Sequence, residues 1–179
     1  SATIAGEQAD LAEARGRLLR ALAASALAVF LLLMIQFRSL RHPWVVMAAV
    51  PLQFIGVAIA LLVAGRYLSM PAMLGIILLV GIVVNNSIIL VDFILERVRD
   101  GMEPAAAVTE AVSARFRPVM MTALSTVAGM LPLALELAVG SERFAPIATV
   151  IVGGILASTL LTLLIIPLLA HRLLVRDGA

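Results

Sequence analysis

Four stretches of this chain are each long and apolar enough to cross a bilayer, and a fifth sits at the lower limit of length. That feature sets the solvent before it sets the fold. In hydrocarbon every backbone N–H and C=O must be satisfied inside the protein, so the crossing elements are expected to be helices. The composition agrees. Hydrophobic residues make up 63% of 179, charged residues 13%, and the mean hydropathy is +1.13. A soluble domain of this size is about half apolar and about a quarter charged. All thirteen basic residues are Arg, yet the formal net charge is only +2. They are scattered over the loops with no aromatic-studded basic patch, which argues against nucleic acid as a partner and leaves the lipid bilayer. Cysteine is absent, so neither disulfide nor thiol chemistry is available.

The segments follow in order. Residues 1–20 are polar, Ala-rich and helical in composition. Span one is expected from Ala21 to Phe37, span two from Trp44 to Gly65 with Pro51 inside, and span three from Leu68 to Leu95. Glu96 to Arg117 is the one long polar connection, expected to hold its own amphipathic helix with Pro104 in its first turn and Val108, Ala111 and Val112 as its apolar stripe. Span four follows from Val119 to Val139, with a kink expected at Pro132, and span five from Ala145 to Ala170. The fold class is thus an all-α membrane protein: a five-helix transmembrane bundle over residues 21–170, one amphipathic cytoplasmic connecting helix, and a cytoplasmic tail over 171–179.

Arginine placement orients the bundle. With the C-terminus in the cytoplasm, the inner segments carry eight Arg residues and the outer segments five, three of which precede span one. The N-terminus is then outside, although Ser1 to Leu19 has no early apolar core of the signal-peptide kind. An N-outside start without a cleavable signal leads us to expect earlier spans upstream, with this chain as the C-terminal part of something larger.

The polar residues at membrane depth carry the functional argument, because such groups are costly there. On span three, Gly81, Asn85 and Asp92 are four and seven residues apart and fall on nearly one line, with Asn86 near the edge of that face. The Asn pair is either glue between packed helices or part of a transport path. Asp92 reads as an interfacial carboxylate near Arg97 or Arg99. On span four, Arg115, Thr122, Gly129 and Glu136 are each seven apart and form a second line. Glu136 either faces protein or water, or lies close to the outer interface.

Close helix approach is expected at Gly81 and where small residues recur at a spacing of four: Gly153 with Ala157, Gly154 with Ser158, and Ser125 with Gly129. Ser158, Thr159 and Thr162 are expected to hydrogen-bond their own helix. Nothing suggests an enzyme. His42 and His171 stand apart in loops, no metal-ligand cluster is present, no Ser or Thr has a nearby His, and there is no phosphate-binding Gly-rich loop. Work done here would draw on an ion gradient, with no cofactor.

The stretch Gly81-Ile-Val-Val-Asn-Asn-Ser-Ile-Ile-Leu-Val-Asp-Phe93 resembles the permeases of resistance–nodulation–division (RND) efflux pumps, as do Arg115-Phe-Arg-Pro-Val-Met-Met-Thr122 and Gly129-Met-Leu-Pro-Leu133. Gln36-Phe-Arg-Ser-Leu40, Pro43 and Val50-Pro51-Leu52 extend the resemblance over essentially the whole chain. It places the chain at the last five membrane helices of the second half of such a permease. The Asn85-Asn86 and Asp92 positions look closer to the hydrophobe/amphiphile exporters than to the heavy-metal exporters.

The resemblance implies a homotrimer in the bacterial inner membrane, working with a periplasmic adaptor and an outer-membrane channel. Proton influx would drive export of hydrophobic or amphiphilic compounds. Thr122 matches the family's relay threonine and Arg115 an arginine at the cytoplasmic mouth of the proton path. Asn85 stands where multidrug members carry a Lys. The aspartate pair that titrates belongs to the N-terminal half of the permease, and the porter domains also lie outside this chain, so these residues alone are expected not to pump. The alternative is a non-transporting membrane scaffold or a decayed pump fragment.

Overall fold

A computed structural model describes residues 2–37, 42–137 and 139–177. Among these the secondary structure is helical: α1 (Ala2–Phe37), α2 (His42–Met47), α3 (Ala49–Val63), α4 (Met70–Arg99), α5 (Pro104–Ala134), a 3-10 turn (Ser141–Arg143) and α6 (Ala145–Asp177). Five segments are long and apolar enough to span a membrane, with α2 and α3 together forming the second.

The differences from the expected boundaries have local causes. Helical hydrogen bonding runs on through polar sequence, so residues 2–20 belong to α1 rather than forming a separate segment, and α6 continues through His171 into the tail. The second span breaks at Ala48 because Pro51 has no N–H to offer the Met47 carbonyl. The amphipathic connector is the first half of α5, continuous with span four. Pro118 leaves the Ala114 carbonyl without its helical donor, but both residues are exposed and the helix tolerates the loss. Pro132 marks the end of span four, since α5 stops two residues later at Ala134. His42 and His171 lie in helices, each half-buried, rather than in loops.

Three of the span ends share one device. In α3 the Gly65 N–H donates to the Leu62 carbonyl (3.1 Å) and the Arg66 N–H to Leu61 (2.9 Å). In α4 Gly101 and Met102 do the same with Val98 and Arg97, both at 3.1 Å. These are Schellman caps, which need a left-handed residue, and Gly65 and Gly101 provide it at φ of 62° and 89°. The third cap, on α5, puts Glu136 in that position at φ 58°. Its N–H donates to Leu133 and that of Leu137 to Pro132.

The bundle is built around α6, which packs against α3, α4 and α5. Small residues let it do so. A Cβ on Gly56 would sit 2.3 Å from Ala157 Cβ and 2.4 Å from the Gly153 carbonyl oxygen, and one on Gly153 would sit 2.1 Å from Ala60 Cβ. As α3 rises from Gly56 to Ala60, its partners on α6 fall from Ala157 to Gly153, so the two run antiparallel. On α4, Gly75 meets Ile147 and Val150 while Leu79 meets Gly154, so α4 runs parallel to α6. By contrast only 6% of the most apolar windows of α1 and α5 is buried within the chain, against 56% for α6. Wide faces of α1 and α5 are therefore turned outward.

Candidate functional site

The line predicted on α4 is real, and it faces outward. Gly81, Asn85 and Asp92 are all exposed, while Val83, Val84, Ser87, Leu90 and Val91 between them are buried. Asn86, about 100° round the helix, is half-buried. The Asn pair is thus divided between two environments: Asn85 on the open face and Asn86 toward the bundle. Ser87 takes the fully buried position and donates to the Val83 carbonyl at 3.0 Å.

On α5 the heptad line holds from Arg115 through Thr122 to Gly129. Thr122 and Gly129 are exposed, and the Thr122 hydroxyl donates to the Val119 carbonyl at 2.9 Å. The Arg115 guanidinium lies over the Phe93 ring of α4 at 5.1 Å, and Arg97 lies over the same ring at 5.0 Å. Each such contact is worth about 0.5–2 kcal/mol, depending on desolvation. The Arg115 contact ties the start of the α5 line to α4. Asn85 and Asp92 are the residues next to Asn86 and Phe93 on α4. Each line is thus exposed on its own helix, and Arg115 and Phe93 are the point at which the two helices touch. Arg97, one of the two arginines expected near Asp92, pairs with Glu110 at 3.0 Å across the α4–α5 turn.

Glu136 does not continue the line, because α5 has ended. Its carboxylate meets Arg66, whose guanidinium also donates to the Ala134 carbonyl (3.0 Å), the Ala145 carbonyl (3.4 Å) and the Thr149 hydroxyl oxygen. Of the two readings left open for Glu136, the structure bears on the first: the side chain, 40% exposed, is paired with protein.

Of the four glycines expected to pack, Gly153 and Gly154 do, against α3 and against Leu79 respectively. Gly81 and Gly129 do not, since nothing lies within 4 Å of a Cβ at either position. Both are exposed. Ser158 bonds its own helix as expected, donating to the Ile155 carbonyl at 3.2 Å. Thr159 departs from that expectation. Its hydroxyl is buried without a hydrogen-bond partner.

Sequence reasoning missed Arg66 as a tertiary hub and Gln53 as a buried amide. Gln53 is 0% exposed, and neither amide atom has a hydrogen-bond partner. The available signal was an amide within the apolar run from Val50 to Ala60, the same signal that singled out the Asn pair. Among the described residues no group of His, Cys, Asp and Glu is placed to hold a metal ion.

A profile described as the AcrB/AcrD/AcrF family matches residues 1–173. The swarming motility protein SwrC of Bacillus subtilis is 37% identical over 164 residues, which is 91% of this chain and 16% of that protein. Two crystal forms of a heavy metal efflux pump superpose with TM-scores of 0.83 and 0.78 at 34% and 36% identity. They cover 93% and 91% of this chain, and in each case 16% of the pump.

Proposed function

This chain belongs to the AcrB/AcrD/AcrF family and corresponds to part of an RND permease, and from that premise we propose that it is the C-terminal transmembrane half-domain of a proton-driven exporter. The observation that carries the proposal is that Gly81, Asn85 and Asp92 on α4 and Thr122 and Gly129 on α5 are exposed on helices of membrane-spanning length. Polar side chains facing lipid at depth cost free energy, and sites such as Gly81 and Gly129 are suited to close backbone approach. A second membrane half, bearing complementary polar groups, satisfies both. Asn85, Asn86, Thr122, Arg115 and Asp92 are then the contribution of this half to a proton path. Thr122 and Asn86 supply hydrogen-bonding groups along it, and Arg115 supplies positive charge at its cytoplasmic end.

The remaining assignments belong to the same proposal. Residues 1–20 close a periplasmic part, 21–170 cross the inner membrane, and 171–179 end in the cytoplasm. The permease works as a homotrimer with an adaptor and an outer-membrane channel. The stretch around Asn85-Asn86 and Asp92 supports hydrophobic or amphiphilic compounds as cargo. The solved structures this chain resembles are of a heavy metal efflux pump, which makes metal export the competing substrate class.

Two substitutions in the full-length gene product that carries this chain test the reading. Thr122→Val and Asn85→Leu are expected to abolish efflux of ethidium driven by an imposed pH gradient while leaving protein abundance unchanged. Full efflux by both variants would overturn the proton-path role of these residues, and no efflux by the unsubstituted protein would favour the scaffold reading instead.

A further inference from the structure

Between α4, α5 and α6 lies a cavity of about 10 Å³, counted as the volume open to the centre of a water molecule. Its walls are apolar at Val83, Leu90, Val119 and Leu163, and polar at Asn86, Ser158, Thr159 and Thr162. Three of those four polar residues come from α6, which contributes none of the proposed relay residues. Thr159 is 5% exposed, and its hydroxyl is the buried group found above to lack a partner. A buried water needs space of roughly this size and two to four polar partners, and it commonly makes about three hydrogen bonds. Genuinely dry cavities are apolar. This one has a hydroxyl with both donor and acceptor capacity unused, an amide, and two further hydroxyls on its walls.

We propose that the cavity is a binding site for one water molecule, which bridges the Thr159 hydroxyl to the Asn86 amide. Thr159 is thereby a positioning residue. It acts through the water to hold the Asn86 amide in one orientation beside Asn85, and brings α6 into the relay. The water site follows from the cavity and the unpartnered hydroxyl. Only the positioning role rests on the proton-path reading.

The experiment exploits the near-identical shape of Thr and Val. In a dry cavity, Thr159→Val replaces a stranded hydroxyl with a methyl group, and apolar replacement of an unsatisfied polar group stabilises. In a hydrated one, the same change takes a hydrogen bond from the water. With full-length gene product in detergent, Thr159→Val is expected to lower the midpoint of thermal unfolding. In proteoliposomes it is expected to slow pH-driven ethidium efflux, and Thr159→Ser, which keeps the hydroxyl, is expected to restore that efflux.

A midpoint that rises or stays unchanged overturns the water site. A lowered midpoint with full efflux overturns the positioning role. If neither variant accumulates folded, a high-resolution cryo-EM map of the unsubstituted protein decides: density within hydrogen-bonding distance of Thr159 Oγ1 supports the site, and an empty cavity overturns it. The proton-path reading fails separately, through unimpaired efflux by Thr122→Val. The sign of the Thr159→Val midpoint shift does not depend on transport.

Discussion

Glu136 occupies the left-handed position of a helix cap, where the other two such caps carry glycine. For a residue with a Cβ that conformation costs roughly 1–2 kcal/mol. The compensation comes from Arg66, which ties the carboxylate to the last carbonyl of α5, the first of α6 and Thr149. The ion pair is partly exposed and contributes at most about 1 kcal/mol by itself. The Ala134 carbonyl matters more, because removing the guanidinium takes a donor from an acceptor that is costly to leave unpaired, whereas the Ala145 carbonyl keeps the Thr149 hydroxyl as its donor. We therefore expect Arg66→Ala to lower the midpoint of thermal unfolding most. Glu136→Ala should lower it less, and Glu136→Gly least, since glycine removes the backbone strain along with the pair. A midpoint for Glu136→Gly below that of Glu136→Ala would contradict this order. The Arg66–Glu136 pairing was not legible in the sequence. The two residues are seventy positions apart, and they meet only because α3 and α5 end on the same side of the bundle, next to the start of α6.

At the scale of the helix, the same residue type has two uses. Gly56 and Gly153 allow α3 and α6 to touch, and a methyl group at Gly56 would fall 2.3 Å from Ala157 Cβ. Overpacking of a well-packed contact typically costs about 1–3 kcal/mol, and here a backbone oxygen blocks the alternative direction. Gly56→Ala is expected to reduce the yield of folded protein and lower its midpoint, as read by size-exclusion chromatography and thermal scans in detergent. Gly81→Ala and Gly129→Ala meet open space within this chain. They should leave folding of the bundle unchanged and instead weaken association with the other membrane half, read by co-purification of the two halves expressed as separate chains. The small-residue spacing in α6 was readable because close approach requires it. The similar pattern of Ser125 and Gly129 looks identical in sequence yet packs on nothing in this chain, because spacing identifies a face without naming what covers it.

Over the whole molecule, wide faces of α1 and α5 and the polar residues Asn85, Asp92 and Thr122 are turned outward. Orientation is the first property to establish. In a full-length background without other cysteines, Glu142→Cys in the outer loop is expected to react with a membrane-impermeant maleimide in intact spheroplasts. Asp100→Cys, in the loop after α4, should react only after permeabilisation, and the opposite pattern would invert the proposed topology. Substrate class is read from resistance: expression in a drug-sensitive host should raise tolerance to hydrophobic dyes rather than to copper or zinc, and a metal-only phenotype would assign the chain to the other branch. The sequence by itself determined the solvent, the five apolar spans, the polar residues within them and the family, because hydrophobic length and motif order are properties of the chain alone. It also gave the angle between neighbours on one helix, which is why Gly81, Asn85 and Asp92 could be put on one line. It left open which way each helix is rotated about its axis. Only the tertiary packing of α3 on α6 at Gly56 and Gly153, and of Leu79 on Gly154, set those rotations. That packing turned Asn85 outward and Asn86 inward, and it formed the small cavity beside Thr159.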